Sequence, residues 1–144
     1  MVDFTEVVIP VDGSDNALRA ARFGARLAHA VGSPCRLLHV FRIGGDEVMG
    51  MASLSKAQIE EATRRSARRI FDTVLSEIGN EGPPPEELIL HGDPAEEILG
   101  YLEAHPQALV VMGRRGKGRL EALMVGSVAD KVLRHSRGAI TLVG

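Results

Sequence analysis

The sequence predicts a doubly wound α/β fold, one parallel sheet with helices on both faces. Short runs of Val, Ile and Leu alternate with longer stretches of helical period along the 144 residues. Strands alternating with helices require right-handed crossovers, and these place the helices over a parallel sheet. Turn and cap residues gather where strands hand over to helices, at Asp12-Gly13-Ser14, Gly92-Asp93 and Gly126-Ser127. The length suits a single domain over 1–144, and 44% apolar residues are enough for a core. Aromatics make up only 3%, so that core rests on Val, Leu, Ile and Ala.

Val7–Val11 is β-branched and short, hence the first strand. Asp15–Val31 carries Leu18, Ala21, Ala25 and Ala28 at helical spacing, with Ser14 as N-cap and Gly32 as stop. Arg36–Phe41 is the second strand. Arg42–Leu54 has no period and reads as a loop. The next helix spans Lys56–Ile78, with Ser55 and Gln58 as a capping box. Its inner face is expected to be Ile59, Ala62, Ser66, Ile70, Val74 and Ile78. The charges opposite, among them Glu60, Glu61, Arg64, Arg65, Arg68 and Arg69, are mixed in sign and read as a solvated face. Gly79–Pro85 is a turn and Glu87–His91 the third strand. Asp93-Pro94-Ala95-Glu96 supplies an N-cap, a first-turn proline and a Glu reaching back. That helix ends near His105-Pro106. Ala108–Met112 is the fourth strand, Ser127–His135 the fourth helix and Ala139–Val143 the fifth strand.

A net charge of −2 argues against a nucleic-acid binder. Cys35 has no second cysteine to pair with and reads as a small buried or half-buried residue at a strand start. His29, His39, His91, His105 and His135 are scattered and form no metal-ligand spacing. Asp3 and Glu6 sit where a secretory leader needs basic and then apolar residues, so no leader is expected. No apolar run approaches the length of a membrane span. The expectation is a soluble cytoplasmic protein.

The most informative segment is Gly113-Arg114-Arg115-Gly116-Lys117-Gly118, followed after seven residues by Gly126-Ser127. It joins a buried strand to a helix start. Glycines let the main chain approach an anion, and free N–H groups at the helix start attract negative charge. The spacing Gly113-x2-Gly116-x9-Gly126-Ser127 is not Gly-x4-Gly-Lys-Ser/Thr, nor is it Gly-x-Gly-x-x-Gly.

That spacing, after a strand ending Val111-Met112, closely resembles the ATP-binding motif of the universal stress protein family. Val7-Val8-Ile9-Pro10-Val11-Asp12-Gly13-Ser14 resembles the family's opening strand, with its nucleotide-contacting aspartate. Gly92-Asp93-Pro94-Ala95-Glu96-Glu97-Ile98 and Val125-Gly126-Ser127-Val128 extend the match over essentially the whole chain. The resemblance implies an adenine nucleotide alpha hydrolase-like (Rossmann-like) sheet of order 3-2-1-4-5. Strands one and four are then neighbours, and Asp12 and Gly113 meet at the crevice where winding reverses. It also implies that Asp12 contacts the adenosine and the main chain of Val40 the adenine. Pro10, Val11 and Met112 would be apolar walls. Gly113, Gly116 and Gly126 would offer N–H groups to phosphates, beside Ser127, Val128 and one or two of Arg114, Arg115, Lys117 and Arg119. Ser127 would bond phosphate or cap its helix.

Catalytic apparatus is thin. Asp12, Asp15 and Asp46 are the acidic candidates for Mg²⁺, and phosphoryl transfer also needs an oriented nucleophile. The function expected is ATP binding, with Mg²⁺, by a stress-response regulator with weak or no hydrolysis. The alternatives are a member acting through protein partners without ATP, or a binder of AMP or cyclic AMP. The resemblance further implies a homodimer through strand Ala139–Val143. Family members often carry Cys-Pro before this strand, where this chain has Ser136-Arg137-Gly138.

Overall fold

The computed structural model describes residues 3–42, 53–80, 82–115 and 125–144. Its elements are β1 (Glu6–Pro10), α1 (Asp15–Val31), β2 (Cys35–Phe41), α2 (Lys56–Ile78), β3 (Glu86–His91), α3 (Pro94–Ala104), β4 (Ala108–Gly113), α4 (Ser127–His135) and β5 (Ala139–Val143). The sheet is parallel throughout, in the order β3-β2-β1-β4-β5.

Alternation along the central strands explains the layers. Val7 and Ile9 of β1 face a core with α1 and α2, joined by Leu37, Leu109, Val111 and Phe71. Val8 faces the opposite core with Leu38, Val40, Val110 and Met112, closed by Ile98, Tyr101 and Val132 of α3 and α4. Val7, Val8 and Ile9 are fully buried. Each such side chain contributes about 1.5–3 kcal/mol of burial free energy.

Helix α1 lies unusually close to the sheet. A Cβ on Gly24 would stand 2.7 Å from Ile9 Cδ1 and 3.3 Å from Val111 Cβ. Ser14 caps α1, its hydroxyl accepting from Ala17 N–H at 3.2 Å. Gly32 ends it in the left-handed region, at φ 69°. The Ser55–Gln58 capping box forms in both directions, at 2.9 and 3.2 Å.

Two local expectations need correction. The buried line of α2 is Thr63, Ala67, Phe71 and Val74, one residue round from the face expected. Thr63 is admitted to the interior because its hydroxyl donates to the Ile59 carbonyl at 2.9 Å. Ile59, Ala62, Ser66, Ile70 and Ile78 flank that line, half-buried. At α3, Asp93 caps the helix through Glu96 N–H at 3.0 Å. The Glu96 side chain does not reach back; it lies 3.7 Å from Lys131 of α4.

The two edges of the sheet differ. Strand β3 starts with exposed Glu86 and Glu87, paired with Arg36 at 2.6 Å and Arg68 at 2.5 Å. Strand β5 is uncharged and half-buried along its whole length.

Candidate functional site

Proline 10 opens the crevice. Val7 N–H donates to Pro34 O at 2.9 Å and Val11 N–H to Leu38 O at 2.8 Å, so the odd residues of β1 face β2. Even residues therefore face β4. Pairing there runs Glu6–Ala108, Val7–Leu109 and Val8–Val110, and then stops. The next donor toward β4 would belong to Pro10, which has no N–H. Meanwhile β1 stays paired with β2 to Pro10–Leu38, and β4 with β5 to Gly113–Val143. The two inner strands thus part at their carboxyl ends, at the point where winding reverses.

On the β1 side, Asp12 Oδ1 accepts from Ser14 N–H at 2.9 Å. Gly13, with φ 84°, permits this tight turn. The other carboxylate oxygen of Asp12 has no hydrogen-bond partner among the described residues. The turn-and-cap role of Asp12-Gly13-Ser14 is therefore real, and it leaves one anionic oxygen over. Val11 is 3% exposed and Met112 4% exposed, so both side chains are committed to the cores, on opposite faces of the sheet. Val40 is likewise buried, with its side chain in the same core as Met112.

On the β4 side, Gly113 is held against the start of α1. A Cβ there would lie 2.8 Å from Asn16 Cβ, 2.9 Å from Asn16 C and 3.1 Å from Ala17 N. The bare α-carbon of Gly113 is thus required by helix packing, whatever else it serves. Arg114 ties three elements: its N–H donates to Val143 O and its carbonyl accepts from Gly126 N–H, both at 2.7 Å. Arg115 is half-buried and already engaged. Gly116, Lys117, Arg119 and Asp46 lie outside the described residues.

Helix α4 differs from the reading of Ser127 as a cap. The N-cap is Gly126 (φ −70°, ψ 164°), and among the described residues no side chain caps the first turn. Ser127 is the first helical residue, so its hydroxyl does not cap. The Gly126 N–H is engaged by Arg114 and is not a free donor. The N–H groups of Ser127, Val128 and Ala129 have no intrahelical acceptor, because first-turn donors point out of the helix. The helix dipole adds partial positive charge there. The arrangement can take an anion at α4 and leaves an acceptor, Asp12, across the crevice from it.

Two cavities lie elsewhere, on the outer faces of α1 and α2. One, of about 360 Å³, lies beside Arg64, Arg68 and Phe71 of α2. Arg68 there is bonded to Asp72 and Glu87. The crevice, with donors left unpaired by helix geometry, is the better candidate. Two roles escaped the sequence reading. Pro10 acts by lacking a donor, and His39 donates across 28 residues to the Val11 carbonyl at 2.8 Å.

Comparison with known proteins gives a consistent picture. The model of the universal stress protein family matches residues 3–144. A universal stress protein of Thermus aquaticus, from the QAH/OAS sulfhydrylase 3' region, is 32% identical over 141 residues, covering 97% of this chain and 98% of the relative. A universal stress protein from Archaeoglobus fulgidus in complex with dAMP aligns over 100% of both chains, with TM-score 0.67 and 24% identity. Another universal stress protein, in complex with cAMP, aligns over 98% of this chain and 97% of its own, with TM-score 0.66 and 21% identity.

Proposed function

The chain belongs to the universal stress protein family, and from that premise we propose that it binds an adenine nucleotide, ATP with Mg²⁺, in the crevice between β1 and β4. Acting as one cytoplasmic domain over 1–144, it would be a nucleotide-dependent stress-response regulator with weak or no hydrolysis. The observation that carries this reading is the pairing of two features at one place. Pro10 ends the β1–β4 ladder, and α4 presents a first turn without a side-chain cap beside the opening.

The residues fit the ligand by type. The N–H groups of Ser127, Val128 and Ala129 suit phosphate oxygens, and the Ser127 hydroxyl adds a donor. The free oxygen of Asp12 suits a ribose hydroxyl, and the Val40 main chain suits the edge of the base. Gly116 and Arg115 complete the proposed set. Mg²⁺ would sit chiefly on phosphates and water, as this ion commonly does, with Asp12 as the protein carboxylate at hand. Bound there, the ion would neutralise phosphate charge.

The dAMP and cAMP complexes of the two relatives support an adenine ligand and leave the phosphate number as the finer question. A cyclic monophosphate would use the Asp12 side and little of the α4 turn. We further propose a homodimer through Ala139–Val143, because an uncharged edge strand invites a second one.

The test is mass spectrometry of nucleotide released from freshly purified, denatured protein, followed by calorimetric titration with ATP, AMP and cyclic AMP, with and without Mg²⁺. Released ATP or ADP, or ATP binding tightest, supports the reading. Binding of cyclic AMP unaffected by changes at Gly126 would replace it with the cyclic ligand. No nucleotide and no heat would refute it and turn attention to protein partners.

A further inference from the structure

His39 lies at the middle of the sheet, 8% exposed, on β2. Its Nδ1 is 2.8 Å from the carbonyl oxygen of Val11. A carbonyl only accepts, so this nitrogen carries the proton and donates. The ring meets Phe71 edge-on, with centroids 6.4 Å apart, which fixes its orientation from the α2 side.

The place of this bond in the ladder gives it meaning. Val11 N–H donates to Leu38 O at 2.8 Å. In a parallel ladder the following rung would run from Val40 N–H to Val11 O. That rung is not formed: pairing between β1 and β2 ends at Pro10–Leu38, and Val11 makes no further main-chain bond to β2. The imidazole of His39 takes the carbonyl instead. Main-chain groups of even residues on β2 face β1, as Pro34 and Leu38 show. The Val40 N–H therefore points past the end of β1, toward the mouth of the crevice.

We propose that His39 is a positioning residue: by drawing the Val11 carbonyl toward its ring, out of line with the Val40 N–H, it keeps the last rung of the ladder open, so that the Val40 amide stays available as a donor to the edge of a planar heterocyclic ligand. The use of that donor rests on the reading of the crevice as a nucleotide site. His39 touches no ligand in this scheme. It acts through Val11 and Val40, and without it the carbonyl is free to capture the Val40 N–H and close the edge.

The experiment compares the parent protein with His39→Leu, which cannot donate, and His39→Asn, whose side-chain N–H falls near the position of Nδ1. Two probes are titrated calorimetrically: ATP, and inorganic triphosphate, which lacks a base. Expected is a loss of about three- to tenfold in ATP affinity for His39→Leu, the size of one hydrogen bond. Triphosphate affinity should be unchanged, and His39→Asn should restore ATP binding. ATP binding equal to the parent in His39→Leu, or an equal loss for both probes, overturns the proposal.

Amide hydrogen exchange of the parent without ligand tests the open rung directly. The Val40 amide should exchange much faster than that of Leu38 and slow on addition of ATP. If Val40 is as protected as Leu38 before any ligand is added, the proposal falls, even if His39→Leu proves unable to fold. A parent that binds neither probe refutes the nucleotide reading, and the amide comparison then decides the role of His39 alone.

Discussion

Replacing Gly113 by alanine adds one methyl group at the junction of β4 and α1. Its distances to Asn16 Cβ, Asn16 C and Ala17 N would be 2.8, 2.9 and 3.1 Å. Relaxed carbon contacts lie at about 3.5–4.0 Å. Two of these atoms belong to the main chain of the first helical turn, so no rotamer change relieves them. The turn must move by roughly half an ångström or more. It is held by the Ser14 cap and by the buried Asn16 and Ala17. Overpacking of this kind costs about 1–3 kcal/mol. At about 2–4 °C per kcal/mol for a domain near this size, Tm should fall by roughly 2–12 °C. Thermal unfolding followed by circular dichroism reads this directly. Gly100→Ala is the matched control, since a Cβ on that helical residue meets nothing within 4 Å. It should stabilise the protein by about 0.5–1 kcal/mol, the usual gain over glycine in a helix. A Gly113→Ala protein as stable as the parent would refute the close approach of α1 to β4.

Three further outcomes are expected. Gly126→Val should weaken ATP binding about tenfold or more, by placing a branched side chain beside the helix start proposed to receive phosphate, while Tm shifts by only a few degrees; unchanged titration curves would move the phosphate site elsewhere. Burial pushes the Cys35 thiol up from 9.0 to about 11. The unfolded chain thus loses that proton first, so the thiol's contribution to stability is complete below pH 9 and declines as pH rises from 9 toward 11. A Cys35→Ala protein should lose that part of the alkaline decline, and a thiolate absorbance midpoint near 9 in the folded parent would contradict the burial. In Tyr101→Phe the hydroxyl that accepts from Arg36 at 2.6 Å and donates to Glu6 at 3.1 Å is lost. This should cost about 1–2 kcal/mol in denaturant unfolding and leave ATP binding unchanged, since the network lies at the amino ends of β1 and β2; a matching loss of ATP affinity would show that the two ends of the sheet are coupled.

Most of the fold was legible because local signals agreed. Each strand has its run of branched residues, and the helices α1 to α3 have Ser14, Ser55 and Asp93 as caps. Where the sequence reading missed, the cause was a group satisfied or displaced by its own surroundings. Thr63 looks too polar for a core until its hydroxyl turns back on Ile59. Glu96 fits a capping box, yet its side chain lies toward Lys131 of the neighbouring helix instead. The Gly126 N–H looks free until the chain returns to the Arg114 carbonyl, a closure no local pattern announces. The candidate site was legible only as segments, Asp12 and the glycine motif, because strand ends and turn residues mark them. Its internal logic was not. Pro10 works through a missing donor, and His39 through a bond across 28 residues.

The unlike edges of the sheet carry a consequence for assembly size. A strand arriving at β3 meets Glu86 and Glu87, each locked to an arginine. One arriving at β5 meets an uncharged row. Charged edges discourage strand addition, and plain ones accept it. A molecule with one plain margin and one guarded margin would act, if it pairs as proposed, as a chain terminator to its own kind. Once two copies join by their plain margins, both outer borders of the enlarged sheet are guarded ones. In the homodimer proposed above, the same asymmetry would stop growth of the sheet at the second copy.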